Sequence, residues 1–494
     1  MKEKQAQEIK RRSVTGVFVT GVVQSLSLFA GFILSIFVST ELFGVFGVVS
    51  ATAVFLSYFS DIGLAAALIQ KKEKVTSEDL WTTFTIQQIL VVVLVILALS
   101  LSYAIGSLRG FSSESIWLFR SLVITFFLSS LKTIPSILLE RELRFKDLAI
   151  AQVVEVLIFN VVIIYLALTG WGIAMFSIAV LARGIVGLLS IYMIRPWMPR
   201  FHIDRQSARH LISFGIPFQL NSLLALIKDQ LFIIVLPLLL PISEVGFINW
   251  AKKWAEAPLR LVMDNVVRVT FPTYARLQNY PDKLTKGLNK TTFFLMLAII
   301  PMSVGMVFVL EPLLKFIPCF IDTSSQAVTC YEKWQPALAS FYLFVIASSV
   351  AGISTPLINA LNATGKIKIT LYFMIFWTIF TWTVTPILIH YIGFNAVSAT
   401  SAVMSLAVIA VILVAKRYMQ FNLSDQTIPP LVASLIMGVM LFLTRTILTS
   451  SLIHLGLYVL LGVIVYFGSL LVLFRKQFIG EVSYIITIVR QTAS

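Results

Sequence analysis

The sequence predicts an all-α polytopic membrane protein of about 14 transmembrane helices, arranged as two six-helix lobes plus two C-terminal helices. Three observations carry that prediction. The 494 residues are 58% hydrophobic, with a mean hydropathy of +0.92. Charged residues make up 12%, about half the roughly 25% of a soluble globular domain. Apolar runs recur along the whole chain, and about 20 such residues suffice to cross a hydrocarbon core about 30 Å thick.

The N-terminus, Met1 to Arg12, is polar and basic. The apolar run after it is too long for a signal-peptide core and lacks a small-residue cleavage site, so it is expected to be an uncleaved first span. Spans are then expected at about 15–39, 44–69, 78–105, 116–138, 147–169, 172–194, 210–240, 244–273, 286–310, 336–364, 367–390, 394–416, 431–450 and 455–474. With the N-terminus inside, nearly all loop Lys and Arg fall on the cytoplasmic face. The outer loops hold only Arg109, Lys315 and Lys333. The formal net charge of +15 is therefore read as membrane topology, since cytoplasmic loops collect basic residues, and not as nucleic-acid binding.

The eighth segment tests this topology. It is the most highly charged of the fourteen, yet removing it as a span would put Arg276, Lys283, Lys286 and Lys290 outside. Loop charge thus requires it to cross. The basic loop from Arg195 to Arg209 divides the chain into an N-lobe over 1–200 and a C-lobe over 201–418, with the last two helices over 419–494. Each lobe has an even number of spans, so both run the same way and are expected to be related by a pseudo-two-fold axis along the membrane normal. Glu41-Leu42-Phe43-Gly44-Val45-Phe46 at the second span is faintly echoed by Ser243-Glu244-Val245-Gly246-Phe247-Ile248 at the eighth.

Nine basic residues fall at membrane depth: Arg120, Lys132, Arg183, Lys228, Lys252, Lys253, Arg260, Arg268 and Arg445. Each costs about 2.5–3.5 kcal/mol at a helix centre on insertion scales, so such residues face a wet cavity, pair, or snorkel from helix ends. Arg120 and Arg445 lie near external helix ends and Lys132 in the inner part of the fourth span, and for these three snorkelling or structural pairing is expected. Arg183 and Arg260 sit near mid-span and are the strongest candidates for a water-filled cavity. In the eighth segment Lys252, Glu256, Arg260, Asp264 and Arg268 recur every four residues with alternating sign. Glu256 with Arg260, and Asp264 with Arg268, have the acid-before-base order that favours helical pairs. A cation surplus remains, and steps of four wind about 40° each around a 3.6-residue helix, so part of this ladder can line a cavity while part pairs. Arg260, Lys252, Lys253, Arg268, Arg183 and Lys228 are the candidate cavity cations.

Asp61, Glu155 and Asp229 lie in the second, fifth and seventh spans. They either couple transport to Na⁺ or H⁺ or simply partner the cations, as Asp229 beside Lys228 suggests. Pro217, Pro237, Pro258, Pro301, Pro356 and Pro386 are expected to interrupt helices, and Pro258, two residues from Arg260, is the expected hinge. The only cysteines, Cys319 and Cys330, share one loop; a disulfide and two separate thiols both remain open. The histidines, His202, His210, His390 and His454, are scattered without metal-ligand spacing. There is no nucleophile motif and no P-loop, so no cofactor, metal, catalysis or ATP-driven step is expected.

Phe43-Gly44, Asp61-Ile62-Gly63-Leu64 with Ala67-Leu68-Ile69-Gln70-Lys71, and Glu140-Arg141-Glu142-Leu143-Arg144-Phe145-Lys146 carry a resemblance, continued by Asp229, Gly246 with Ala251, Phe271-Pro272, Glu311-Pro312 and Trp334. With these residues the chain resembles the polysaccharide-biosynthesis branch of the multidrug/oligosaccharidyl-lipid/polysaccharide exporter superfamily, the flippases for undecaprenyl-diphosphate-linked oligosaccharides. The likeness covers about residues 10–370 and is loose afterwards. It implies a V of two six-helix lobes, a cation-lined central cavity and alternating access, with the family's acidic positions on Asp61 and Asp229. The long cysteine-containing loop departs from the family.

The expected function is thus transport of a polyprenyl-diphosphate-linked glycan from the cytoplasmic to the outer leaflet of a bacterial cytoplasmic membrane. A wet cationic lumen would offset the desolvation of the diphosphate. Two other classes compete: a multidrug or cation antiporter of the same fold, which would need an acidic cavity, and a membrane glycosyltransferase or ligase, which would need a larger extramembrane domain. Expected partners are the glycolipid, membrane lipids and other polysaccharide-assembly proteins. A monomer with both termini cytoplasmic is expected.

Overall fold

A hydrocarbon solvent offers no hydrogen bonds, so each backbone N–H and C=O must be satisfied within the chain, and long helices are the simplest solution. The computed structural model describes residues 24–59, 63–64, 67–68, 75–108, 112–142, 144–320 and 328–481. These are helical almost throughout. Among them are eleven helices long and apolar enough to cross a membrane, from Thr40–Tyr58 to Leu452–Leu473. The other three expected spans are the shorter apolar helix Gln24–Phe37, which follows residues outside the described set, and the seventh and eighth segments, which are broken and charged. Helix starts follow side-chain capping. Ser39, Ser112, Asp204 and Ser451 each accept a backbone N–H in the first turn that follows.

The chain forms two compact units, Met1–Gly246 and Phe247–Ser494. In the first, the helix Ala174–Ile194 packs against Ser113–Leu131 and Phe145–Leu168. Gly184 permits this approach, because a Cβ there would meet Thr125 Cγ2 at 3.0 Å, as is usual where membrane helices rely on small residues to pack closely. Polar contacts join neighbouring helices: Gln88 Nε2 donates to Ser130 Oγ (3.1 Å) and Gln87 Nε2 to Thr133 Oγ1 (3.0 Å). Leu64, Leu68, Phe84, Ile134, Ile137 and Leu211 fill the adjoining core. Arg141 donates to the Leu68 carbonyl, Arg195 meets Glu142 at 2.7 Å, and Arg144 meets Asp147 at 2.6 Å. The Glu140–Lys146 motif thus ties together the ends of four expected spans.

In the second unit, Pro281–Phe316 is the central helix. Leu423–Leu448 and Leu452–Leu473 pack on it, and the Tyr466 hydroxyl donates to the Leu297 carbonyl at 2.8 Å. A two-stranded hairpin pairs Pro318 with Thr329 and Cys319 with Val328. Cys319 and Cys330 are joined by a disulfide, with a Cα separation of 4.7 Å. The helix that begins at Cys330 is closed by a capping box between Thr329 and Glu332. It presents Trp334, which stacks on Trp250 with centroids 4.7 Å apart and planes 7° apart.

Several expected helices differ from their sequence reading. The fourth breaks at Lys132, between Ser113–Leu131 and Thr133–Arg141. The twelfth divides into Asn395–Ser405 and Val408–Lys416. Pro301, Pro356 and Pro386, expected to interrupt, lie inside continuous helices. A proline removes one hydrogen bond and bends a membrane helix without ending it, because neighbouring turns and side chains satisfy what is freed.

Candidate functional site

The eighth expected span is two helices, Ile242–Ala255 and Ala257–Leu277, meeting at Glu256. Pro258 stands in the first turn of the second, where its missing N–H is tolerated. Hydrogen bonding runs through the break from Glu256 N–H to the Lys252 carbonyl and from Arg260 N–H to the Glu256 carbonyl, each 2.9 Å. Proline cannot supply the bond between these two. The Ser348 hydroxyl, from the helix Leu338–Ala363, donates to the Ala255 carbonyl at the break (2.8 Å). A buried serine on a neighbouring helix therefore steadies the bend.

Glu256 lies between two cations. Its Oε2 accepts from Arg260 Nη2 at 2.7 Å and Nε at 3.0 Å, and Lys252 Nζ lies 3.8 Å from Oε1. Arg260 is nonetheless 65% exposed, while Lys253 is half-buried and Pro258 is buried. The segment from Lys252 to Arg260 thus holds three cations and one carboxylate. The side chains of Asp264 and Arg268 lie outside the described residues, so the lower half of the ladder is not placed.

In the seventh expected span the helix Arg205–Leu226 passes into a π-helical turn, Ile227–Leu231, then a short helix, Phe232–Val235, and a 3₁₀ turn over Leu236–Leu238 that contains Pro237. Lys228 and Asp229 both sit in the π turn and pair at 2.6 Å. Such turns insert an extra residue and recur at functional sites. Asp61 lies outside the described residues.

A second cluster brings together Glu155 and Arg183, two of the predicted residues, with Lys132. The break in the fourth expected span places Lys132 where its Nζ reaches Glu155 Oε1 at 2.6 Å, and Arg183 Nε lies 3.7 Å from Oε2. Glu155 and Lys132 are largely buried, their side chains 12% and 15% exposed, whereas Arg183 is 48% exposed. Gly187, one turn along from Arg183, makes room: a Cβ there would lie 2.5 Å from the Glu155 carboxylate. Sequence reasoning placed Arg183 and Glu155 but not Gly187 or Ser348. The only available signal was the spacing of Gly184 and Gly187 on one helix face.

The remaining membrane-depth cations are partnered near helix ends. Arg120 Nε donates to Ser102 Oγ at 2.9 Å and its guanidinium lies over Trp117. Arg445 meets Glu311 at 2.9 Å, and Glu311 also holds Lys315 at 2.9 Å. Among the described residues no group of His, Cys, Asp and Glu is arranged to hold a metal ion.

The chain is similar to several known proteins. A family model described as "Polysaccharide biosynthesis protein" matches residues 33–318. The succinoglycan biosynthesis transport protein ExoT of Rhizobium meliloti (strain 1021) is 24% identical over 57% of this chain and 56% of its own length. The teichuronic acid biosynthesis protein TuaB of Bacillus subtilis (strain 168) is 25% identical over 65% of this chain and 64% of its own. The chain therefore spans under two thirds of either relative. The lipopolysaccharide biosynthesis protein WzxC of Escherichia coli (strain K12) is 22% identical over 75% of this chain and 74% of its own. Among solved structures, the lipid II flippase MurJ in an inward closed conformation superposes with a TM-score of 0.76 at 17% identity, covering 94% of this chain and 99% of that one. An inward-facing multidrug resistance MATE transporter of the MOP superfamily superposes with a TM-score of 0.62 at 15% identity, covering 82% and 97%. These two likenesses show the fold.

Proposed function

We propose that this chain, which belongs to the polysaccharide biosynthesis protein family, moves a polyprenyl-diphosphate-linked oligosaccharide from the cytoplasmic to the outer leaflet of a bacterial cytoplasmic membrane. It is a multi-pass membrane transporter rather than an enzyme, and it works by alternating access. The observation that carries this reading is the cation surplus at the bend of the eighth segment. Lys252, Lys253 and Arg260 share one countercharge, Glu256, in that stretch, and the Arg260 guanidinium, 65% exposed although it pairs with Glu256, has the planar fork that suits a phosphate. A cationic drug would be repelled by the same surplus, which weighs against the antiporter despite the shared fold.

Arg260 is assigned to the diphosphate, with Lys252, Lys253 and Arg268 above and below it and Pro258 as the hinge between them. Coupling to Na⁺ or H⁺ through Glu155 or Asp229 requires release of the lysine that each holds in this structure. The protein acts as a monomer, beside other proteins of polysaccharide assembly.

Deleting the gene should make a lipid-linked oligosaccharide accumulate in the cytoplasmic leaflet; a normal distribution of that lipid overturns the reading. Arg260→Ala should abolish glycan export while the protein still inserts, and Arg260→Lys should restore part of it. Normal surface glycan with Arg260→Ala would remove that residue from the mechanism.

A further inference from the structure

Where Lys132, Glu155 and Arg183 meet, the first unit leaves a cavity of about 290 Å³, with Ser136 and Gln152 also in its wall. The volume exceeds what one carboxylate needs, and the walls carry two cations against one anion. The two cations are held differently. Lys132 is bound tightly at 2.6 Å and is largely buried. Arg183 makes one contact of 3.7 Å from Nε, beyond hydrogen-bond length, with its guanidinium 6.0 Å from the Phe159 ring centre. The bidentate grip that arginine makes on a carboxylate is absent from this pair. Gly187 leaves room for the carboxylate, since any side chain there would displace that of Glu155.

We propose that this cavity is an anion site whose place is held, when empty, by the protein's own Glu155. An incoming phosphate or carboxylate engages the fork of Arg183 and the ammonium of Lys132, and Glu155 swings aside. The physical reason is the cost of a bare charge. Two cations left unpaired in a partly desolvated cavity would be strongly unfavourable, and an internal carboxylate removes that cost until a ligand arrives. Binding then exchanges one ion pair for another. Ser136 and Gln152 supply neutral hydrogen bonds to the remaining ligand oxygens. The anion's chemistry follows from the cavity alone. Its source, either the diphosphate of the lipid carrier or an acidic group on the glycan, rests on the function proposed above.

The test is anion binding to the full chain in discs of zwitterionic lipid, measured by calorimetry with inorganic pyrophosphate and, separately, with glucuronate. The probe bound more tightly identifies the source. Arg183→Gln should weaken binding of that probe roughly tenfold, and Glu155→Gln should tighten it by a similar factor, because the internal competitor has lost its charge. A merely structural ion pair would not respond in opposite directions. Glu155→Asp, which withdraws the carboxylate by one methylene, should tighten binding less and serves if Glu155→Gln does not fold. Failure of both probes to bind, equal affinity in all variants, or weakening by the Glu155 variants overturns the site. Glycan export in cells is a separate readout, so loss of this site would leave the transport reading standing, and the reverse holds as well.

Discussion

Gly44 and Gly246 face each other across a helix crossing within the first unit, so closely that neither can carry a side chain. A Cβ on Gly44 would lie 2.0 Å from the Ile242 carbonyl oxygen, and one on Gly246 would lie 1.8 Å from that of Thr40. The relation is reciprocal: each glycine meets the carbonyl four residues before the other. These are the two glycines of the echoed sequence at the second and eighth expected spans, and the echo therefore marks a contact.

Gly44→Ala or Gly246→Ala should force these helices apart. The obstacle is backbone, which cannot rotate away, so the cost is expected at the upper end of the roughly 1–3 kcal/mol typical of overpacking. Thermal unfolding of the purified protein checks this, and an unchanged unfolding temperature for both variants would refute the close approach.

Ser348→Ala should loosen the bend at Glu256 by removing the one buried hydroxyl that donates to the Ala255 carbonyl. A single hydrogen bond between membrane helices is worth about 1 kcal/mol. The expected result is a small loss of stability with a larger loss of export. Ser348→Thr, which keeps the hydroxyl, should retain most export. Equal export by Ser348→Ala and the unaltered chain would show that the bend holds without it.

Cys319→Ser, Cys330→Ser or treatment with a reductant should lower the unfolding temperature of the second unit. Closing a loop between residues eleven apart in sequence is worth about 3 kcal/mol on the chain-entropy account. A thiol-reactive mass tag should label neither cysteine before reduction and both after it. Labelling of untreated protein would show free thiols.

Much of this architecture was legible in the primary structure. Apolar run lengths located the spans, and eleven of the fourteen are long, apolar helices among the described residues. Of the other three, the first is described only from Gln24, and the remaining two are those where sequence alone signalled trouble: the Lys228-Asp229 segment and the charged ladder. The pairing of Asp229 with its neighbour Lys228 could be read directly, as could Glu256 with Arg260 one turn later. The break at Lys132 has a local cause that the run of apolar residues hides: Pro135 lacks an N–H and crowds the carbonyl of Leu131 four residues earlier, where the first helix ends. Ser348 gave no such signal, being one hydroxyl among many.

Sequence by itself determined that the chain lives in a membrane, where its helices run, and that the eighth segment carries more positive than negative charge. These properties sum over neighbouring residues and depend only on local composition and period. Tertiary structure decided which acid meets which cation. Lys132 and Glu155 are far apart in sequence, and their 2.6 Å contact depends on a helix break, on the rotation of two helices about their axes, and on a glycine from a third. A single sequence signals the break through Pro135 but records neither the rotations nor the glycine's placement, because those are set by how helices pack and not by how any one of them forms.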